Sequence, residues 1–397
     1  MRKVYLDRIA GTPLHPRVKE AMLPYLGERF GNPQNLHSFG QTAAEALEEA
    51  RARVAALINA EPSEIYFTSS GTESNNFALK GMALANRKKG KHIVVSAIEH
   101  LSILNSVKSL ERMGYTSTQV PVDQQAVIDP DEVRKAITPE TTVVSIMLAN
   151  SEVGTIQPHF KEIVEVCLQA GVVLHTDAVA AAGVIPVDVQ ELGVQALSLA
   201  GNQFYGPNGS AALYVRKGTG ILPLIDGGIQ EHGKRAGSEN LPGIVGLGLA
   251  AEIAGQEMEN RMSRVQPLRD RIVQHLSFEM EHVVLTGHPV NRLPHHASFC
   301  VAFVEGEAML LTLDMQGIAV SSGSACTSKS LKVSHVLLAM GLDHALAQGS
   351  LVFSLIDSLT QEDIDYFIEV FPPNIKRLRK MSPLYTQYLE ENSNDVQ

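Results

Sequence analysis

The sequence predicts an α/β protein: a large unit with a mostly parallel sheet, followed by a smaller α+β unit. Three observations carry this. Over residues 1–250, short β-branched runs alternate with Ala-, Glu- and Leu-rich stretches long enough to be crossover helices. After the long helical stretch Leu241–Phe278 the order changes to shorter strands with helices between them. At 397 residues, with 44% hydrophobic and 19% charged, the chain can fill packed cores and is long for a single one.

The elements follow in order. Gln41–Ile58 reads as an Ala/Glu/Arg-rich helix and Glu64–Thr68 as a short strand. A helix over Thr72–Arg87 leads to the strand His92–Ser96, and a helix over His100–Met113 leads to the strand Thr116–Val120. Thr142–Met147 and Val172–Thr176 are strands, with the helix Phe160–Ala170 between them. Strands separated by helices of this length imply a sheet covered on both faces. Beyond Leu241–Phe278, the strands are Val283–Leu285, Ala297–Phe303, Ile318–Val320 and Ser350–Leu355. The polar tail beyond Ser382 is expected to fray.

Charge and cysteine usage narrow the function classes. A net charge of −10 gives no global attraction to nucleic acid or to an anionic membrane. The start, Met1-Arg2-Lys3-Val4-Tyr5-Leu6-Asp7, meets an acidic residue before any apolar run, which is not a signal-peptide pattern. The apolar stretch 243–255 is interrupted by Glu252 and is too short to span a bilayer. Three scattered cysteines, Cys167, Cys300 and Cys326, form no disulfide framework, which suits a soluble protein of the reducing cytoplasm. His295-His296 is an adjacent pair on an expected strand, where neighbours face opposite ways, so no metal site is assigned.

In a parallel sheet, ligands gather outside the carboxyl ends of the strands. After Phe67 comes Thr68-Ser69-Ser70-Gly71-Thr72-Glu73-Ser74-Asn75-Asn76, a small-residue turn that opens a helix. Its free N–H groups suit a phosphate, or it is a plain Ser/Thr cap. The next strand delivers Glu99-His100, an imidazole able to stack on a flat ligand or move protons, or simply to cap a helix. Asp177 ends an apolar strand and needs a partner, either a cationic ring nitrogen or a helix terminus. Cys326 sits in Ser321-Ser322-Gly323-Ser324-Ala325-Cys326-Thr327-Ser328, where small polar neighbours suit an accessible, reactive thiol. Cys167 and Cys300 lie in apolar surroundings and read as inert packing.

Together these stretches resemble the cysteine desulfurase family of iron–sulfur cluster assembly. The resemblance runs from about Tyr5 to Tyr388. It also includes Tyr5-Leu6-Asp7 with Ala10, Phe30-Gly31-Asn32-Pro33, Asp177-Ala178 and Tyr205-Gly206-Pro207. Further on it takes in Gly227-Gly228 with Gln230-Glu231, Arg235-Ala236-Gly237-Ser238-Glu239-Asn240 and Val304-Glu305-Gly306-Glu307. It implies a class-V aminotransferase-like, fold-type I pyridoxal-phosphate scaffold with a seven-stranded sheet in the large domain. The division it implies is a large domain over 16–258 and a small α+β domain from 1–15 and 259–397, carrying the Cys326 loop. It further implies a homodimer with sites at the subunit interface, a persulfide formed on a loop cysteine, and transfer of sulfur to a scaffold or other acceptor.

Carried over by position, Gly71 and Thr72 match the phosphate cup and His100 the residue that stacks on the pyridine ring. Asp177 matches the partner of the ring nitrogen, and Cys326 the persulfide nucleophile. Ser238 stands for the threonine that reaches the neighbouring subunit's phosphate. Cys326 is also the one candidate ligand to an iron–sulfur cluster.

The departures bear on one reaction. The family's Schiff-base lysine position is Gln203, in Ala200-Gly201-Asn202-Gln203-Phe204-Tyr205-Gly206-Pro207. A carboxamide neither forms an aldimine nor shuttles the lysine's protons. Two phosphate ligands become Ala200 and Asn202, the glutamine at the cofactor's phenolic oxygen becomes Ala180, and an asparagine near the substrate becomes Ser151. The arginine that grips the substrate carboxylate becomes Val352. Losing a positioned acid–base group typically costs ~10²- to 10⁴-fold, and the arginine contact is worth about 1.5–3 kcal/mol. The resemblance, less these six positions, implies a desulfurase-like protein acting through Cys326 as sulfur carrier, partner or regulator, paired with itself or with an active relative. Pyridoxal phosphate is then expected, if bound, without an internal aldimine. The alternative is an active desulfurase or a divergent enzyme with non-covalently held cofactor.

Overall fold

The computed structural model describes residues 2–323 and 333–394. Its strands in chain order are β1 (Val4–Tyr5), β2 (Ile65–Thr68), β3 (His92–Ser96), β4 (Thr116–Val120), β5 (Thr141–Ser145), β6 (Val173–Asp177), β7 (Ala196–Ala200) and β8 (Ala211–Val215). The later ones are β9 (Val283–Leu285), β10 (His296–Val301), β11 (Ile318–Ala319) and β12 (Ser350–Ser354).

The large sheet has seven strands in the order β2-β8-β7-β6-β5-β3-β4. All neighbours are parallel except that β8 runs against both β2 and β7. Because β2 and β7 both oppose β8, the carboxyl ends of β2, β3, β5, β6 and β7 share one edge. That edge is where Thr68, Ser96, Asp177 and Ala200 end their strands. The alternation of elements did not reveal β7 or β8, whose alanines and lone leucines carry little β signal.

The fully buried strands are held by helices on both faces. The helix Ser38–Leu57 buries Ala43, Ala46, Leu47, Ala50 and Val54, the spacing of a single apolar stripe. It packs on the 38-residue helix Leu241–Phe278 so closely that a Cβ on Gly248 would lie 2.6 Å from the Ala50 Cα.

A second core gathers Leu6, Leu276, Phe299, Phe353, Phe367 and Phe371. It sits around the antiparallel sheet β12-β10-β9 and the parallel pair β1-β11. The N-terminal segment joins this core, since Asp7 bridges to Ser354.

Three expectations need adjustment. The strand expected over Ala297–Phe303 is His296–Val301, because Phe303 turns into the left-handed region at φ 67°. His295 therefore precedes the strand and accepts a bond from Arg8 Nη1 at 3.0 Å. The tail is a helix, Pro383–Asn394, rather than a frayed end. Tyr385 and Tyr388 hold it, with ring centroids 5.4 and 4.9 Å from that of Phe303. Among the described residues no helix is long and apolar enough to cross a membrane.

Candidate ligand cavity at the strand ends

A cavity of about 320 Å³ opens at the shared strand edge. One wall is the turn after β2. Ser70 is extended and caps the helix Gly71–Ala85, its hydroxyl accepting from the Glu73 N–H at 3.1 Å. A Cβ on Gly71 would meet Val179 Cγ2 at 2.7 Å, so only glycine lets this turn seat against the turn that follows β6. The arrangement presents Ser69, Ser70, Gly71 and Thr72 to the cavity at the positive end of a 15-residue helix. The turn is a helix cap that also lines the cavity. Behind it, burial works against the charge of Glu73, but bonds from Arg235 Nε at 2.9 Å and from Ser69 outweigh it and hold the carboxyl below its ordinary value.

Asp177 ends β6 with both oxygens engaged. Oδ1 accepts from the Val179 N–H at 2.9 Å and Oδ2 from Asn75 Nδ2 at 2.6 Å. Asn75 Nδ2 also donates to Ser102 Oγ at 2.9 Å, and Ser102 Oγ lies 2.7 Å from His100 Nδ1. His100 caps the helix Leu101–Glu111, Nδ1 accepting from the Ser102 N–H at 3.1 Å. The imidazole is thus a helix cap and a cavity wall at once. The carboxylate's need for a partner is met by an amide and a backbone N–H. Buried Asn75 leaves its own Oδ1 without a partner, a cost of about 1–3 kcal/mol.

Gln203 lines the cavity but is tied to the N-terminal segment. Its Nε2 donates to the Ile9 carbonyl at 2.9 Å, and its own carbonyl accepts from buried Arg8 Nη2 at 2.6 Å. Thr12 adds two bonds to the Asn202 carbonyl, from N–H and hydroxyl, each at 2.9 Å. Ser151, Ala180, Ala200 and Asn202 also face this cavity. Among its described lining residues none is lysine or arginine; the ionisable ones are His100 and Asp177.

A second cavity, about 550 Å³, adjoins the first along His100 and Ser151 and includes Val352, Glu99, Glu152 and His335. Val352 is 1% exposed, an apolar residue where a guanidinium was the family expectation. Burial pushes the carboxyls of Glu99 and Glu152 up to about 8. Each keeps one oxygen without a partner. Ser238 lies on a small cavity of about 90 Å³ with Arg235, which adjoins the first cavity through Ser69, Gly209 and Ser210. Cys326 lies outside the described residues. Cys167 and Cys300 are buried, and burial pushes both thiols up to about 12, as inert packing requires. Among the described residues no group of three His, Cys, Asp or Glu could hold a metal ion.

Sequence reasoning placed Asn75 and Glu99 in the strand-end stretches without giving either a role, and did not single out Ser102 or Glu152. Asn75 had a signal: it lies one helical turn beyond Gly71, on the same face. Glu152 had none, since its burial depends on segments far apart in the chain.

The aminotransferase class-V family matches residues 4–367. The chain is 48% identical over 382 residues to "Cysteine desulfurase IscS" of Dictyoglomus turgidum, covering 96% of this chain and 97% of that one. It is 43% identical over 388 residues to the human "Cysteine desulfurase", covering 97% and 84%. Among solved structures, a "NIFS-LIKE PROTEIN" superposes with TM-score 0.88 at 36% identity, covering 95% of this chain and 99% of that chain. A NifS-like protein from Rickettsia africae gives 0.85 at 32%, covering 94% and 100%.

Proposed function

The chain belongs to the cysteine desulfurase family within the class-V aminotransferases, and we propose that it handles sulfur through Cys326 without the family's lysine-linked cofactor chemistry. The observation that carries this reading is Gln203: the side chain at the lysine position is a carboxamide, one N–H of which donates to the Ile9 carbonyl.

The family is pyridoxal-phosphate dependent, and the cavity fits that group only in part. The Ser69–Thr72 turn, with the close approach that Gly71 allows, suits its phosphate. Asp177 suits its ring nitrogen and His100 its face. The covalent link does not fit, because no amine is among the described lining residues. When bound, the group supplies an electron sink.

Cys326 needs no cofactor to accept sulfur. Its thiolate attacks the outer sulfur of a donor protein's cysteine persulfide. A new S–S bond forms on Cys326, the donor's S–S bond breaks, and the donor leaves as a thiolate, so sulfane sulfur moves with no net redox change. The reverse exchange passes it to an acceptor thiol, such as one on an iron–sulfur scaffold. The partner is a second copy of this chain or an active relative, joined through the segment 227–240, which places Ser238 and Arg235 beside a neighbouring site.

A second reading has specific support. The Ser69–Thr72 turn, Asp177 and His100 are all present, and the relatives are named cysteine desulfurases. An enzyme holding cofactor non-covalently is that alternative. Incubation with a persulfide-loaded desulfurase, followed by mass analysis of cysteine peptides, tests the first reading. Sulfur on Cys326 that disappears in Cys326→Ser supports it. Uptake undiminished in Cys326→Ser overturns it.

A further inference from the structure

Three elements meet in one line of hydrogen bonds: Asp177 at the end of β6, Asn75 on the helix Gly71–Ala85, and Ser102 with His100 at the start of Leu101–Glu111. We propose that Asn75 is a positioning residue which, through the Ser102 hydroxyl, adds a second donor to His100 Nδ1 and so holds the orientation of the ring and its Nε2–H tautomer. The importance of His100 rests on the reading above, but the inference concerns the ring itself.

Asp177 can only accept when ionised, so the Asn75 amide must turn its Nδ2 toward it, and that bond is 2.6 Å long. This choice leaves Asn75 Oδ1 buried and unpartnered. The second Nδ2 proton then points at Ser102 Oγ, at 2.9 Å. A hydroxyl that receives a proton on that side has its own proton for His100 Nδ1, at 2.7 Å. The Ser102 N–H reaches the same nitrogen at 3.1 Å. In the neutral ring Nδ1 is therefore an acceptor twice over and Nε2 carries the proton.

The Ser102 N–H, which can only donate, already makes Nδ1 an acceptor. Without Asn75 the Ser102 hydroxyl could turn its proton away from the ring and leave Nδ1 with the cap alone. The bond from Asn75 occupies the hydroxyl as an acceptor on the far side and favours the rotamer that keeps its proton on Nδ1. The nitrogen left for a ligand in either cavity that His100 borders is then a donor, Nε2–H.

The test is long-range ¹H–¹⁵N correlation on the full-length protein at a pH where imidazole is neutral, with the His100 signals identified by their loss in His100→Gln. Wild type should show a single Nε2–H tautomer with a hydrogen-bonded Nδ1. In Asn75→Ala and Ser102→Ala the Nδ1 signal should move downfield toward a free imine nitrogen, and Ser102→Thr should restore it. An Nδ1–H tautomer in wild type overturns the proposal. So does an unmoved Nδ1 signal in Ser102→Ala with the amide spectrum intact, and that variant decides the matter if Asn75→Ala does not fold. Sulfur uptake is not read in this experiment, so failure of either inference is distinguishable from failure of the other.

Discussion

Gln203 Nε2 donates to the Ile9 carbonyl at 2.9 Å, so the residue at the family's lysine position is bonded to the N-terminal segment. Arg8 reinforces the same junction by donating to the Gln203 carbonyl at 2.6 Å. The segment 202–205 is thus part of the scaffold between the chain's two cores.

Restoring the lysine should therefore restore little chemistry. Gln203→Lys is predicted to gain some cofactor binding, seen as a new visible absorption band, at the loss of a bond worth about 1 kcal/mol. Sulfide release from cysteine should remain low, because buried Val352 offers nothing to the substrate carboxylate. Adding Val352→Arg should raise it above either single variant. Sulfide production by Gln203→Lys alone, equal to that of an active relative assayed alongside, would show that the arginine matters less than argued.

The buried carboxyls predict a pH dependence. Glu99 and Glu152 are raised by burial from 4.5 to about 8 in the folded protein. The folded state then holds protons that the unfolded state has released, so their contribution is fully present below about pH 4.5 and is lost as pH rises through about 8. Urea midpoints should fall between pH 5.5 and pH 8.5, and Glu99→Gln with Glu152→Gln should flatten that fall. An equal fall in the double variant would place the cause elsewhere.

Thiol reactivity should separate the cysteines. Cys167 and Cys300 are buried with thiols pushed up to about 12, so at pH 8 both should resist alkylation in the native protein and label only on unfolding. Cys326 should label first. Native labelling of Cys167 or Cys300 ahead of Cys326, read by peptide mass analysis, would contradict this.

Much of the fold was legible because its signals are local. Alternating helices and strands gave the parallel sheet, and strand-end turns gave Gly71, Thr72, His100 and Asp177, which the structure brings to one cavity. What escaped depends on distant contacts. Strand β8 carries too little pattern, and the helical tail depends on Phe303 packing against Tyr385 and Tyr388. Asp177 was expected to need a partner, but only the fold could show that Asn75 supplies it. Ser238 lines a small cavity that also reaches Ser69, a proximity only the fold reveals.

Assembly follows from the same segment. The segment 227–240 is anchored from within, Glu231 accepting from Arg51 at 2.8 Å and Arg235 donating to Glu73 at 2.9 Å. Light scattering at micromolar concentration should report a dimer of this chain or a complex with a co-purifying relative. A lone monomer would count against the proposed interface.

Borohydride reduction of the protein after incubation with pyridoxal phosphate, followed by peptide mass analysis, bears most directly on the absence of a lysine-linked cofactor. No pyridoxyl group is expected on any cavity residue, while an active relative treated in parallel is modified at its lysine. A stoichiometric adduct on any lysine of this chain, whether Lys108 beside the second cavity, Lys234 or Lys329, would contradict this.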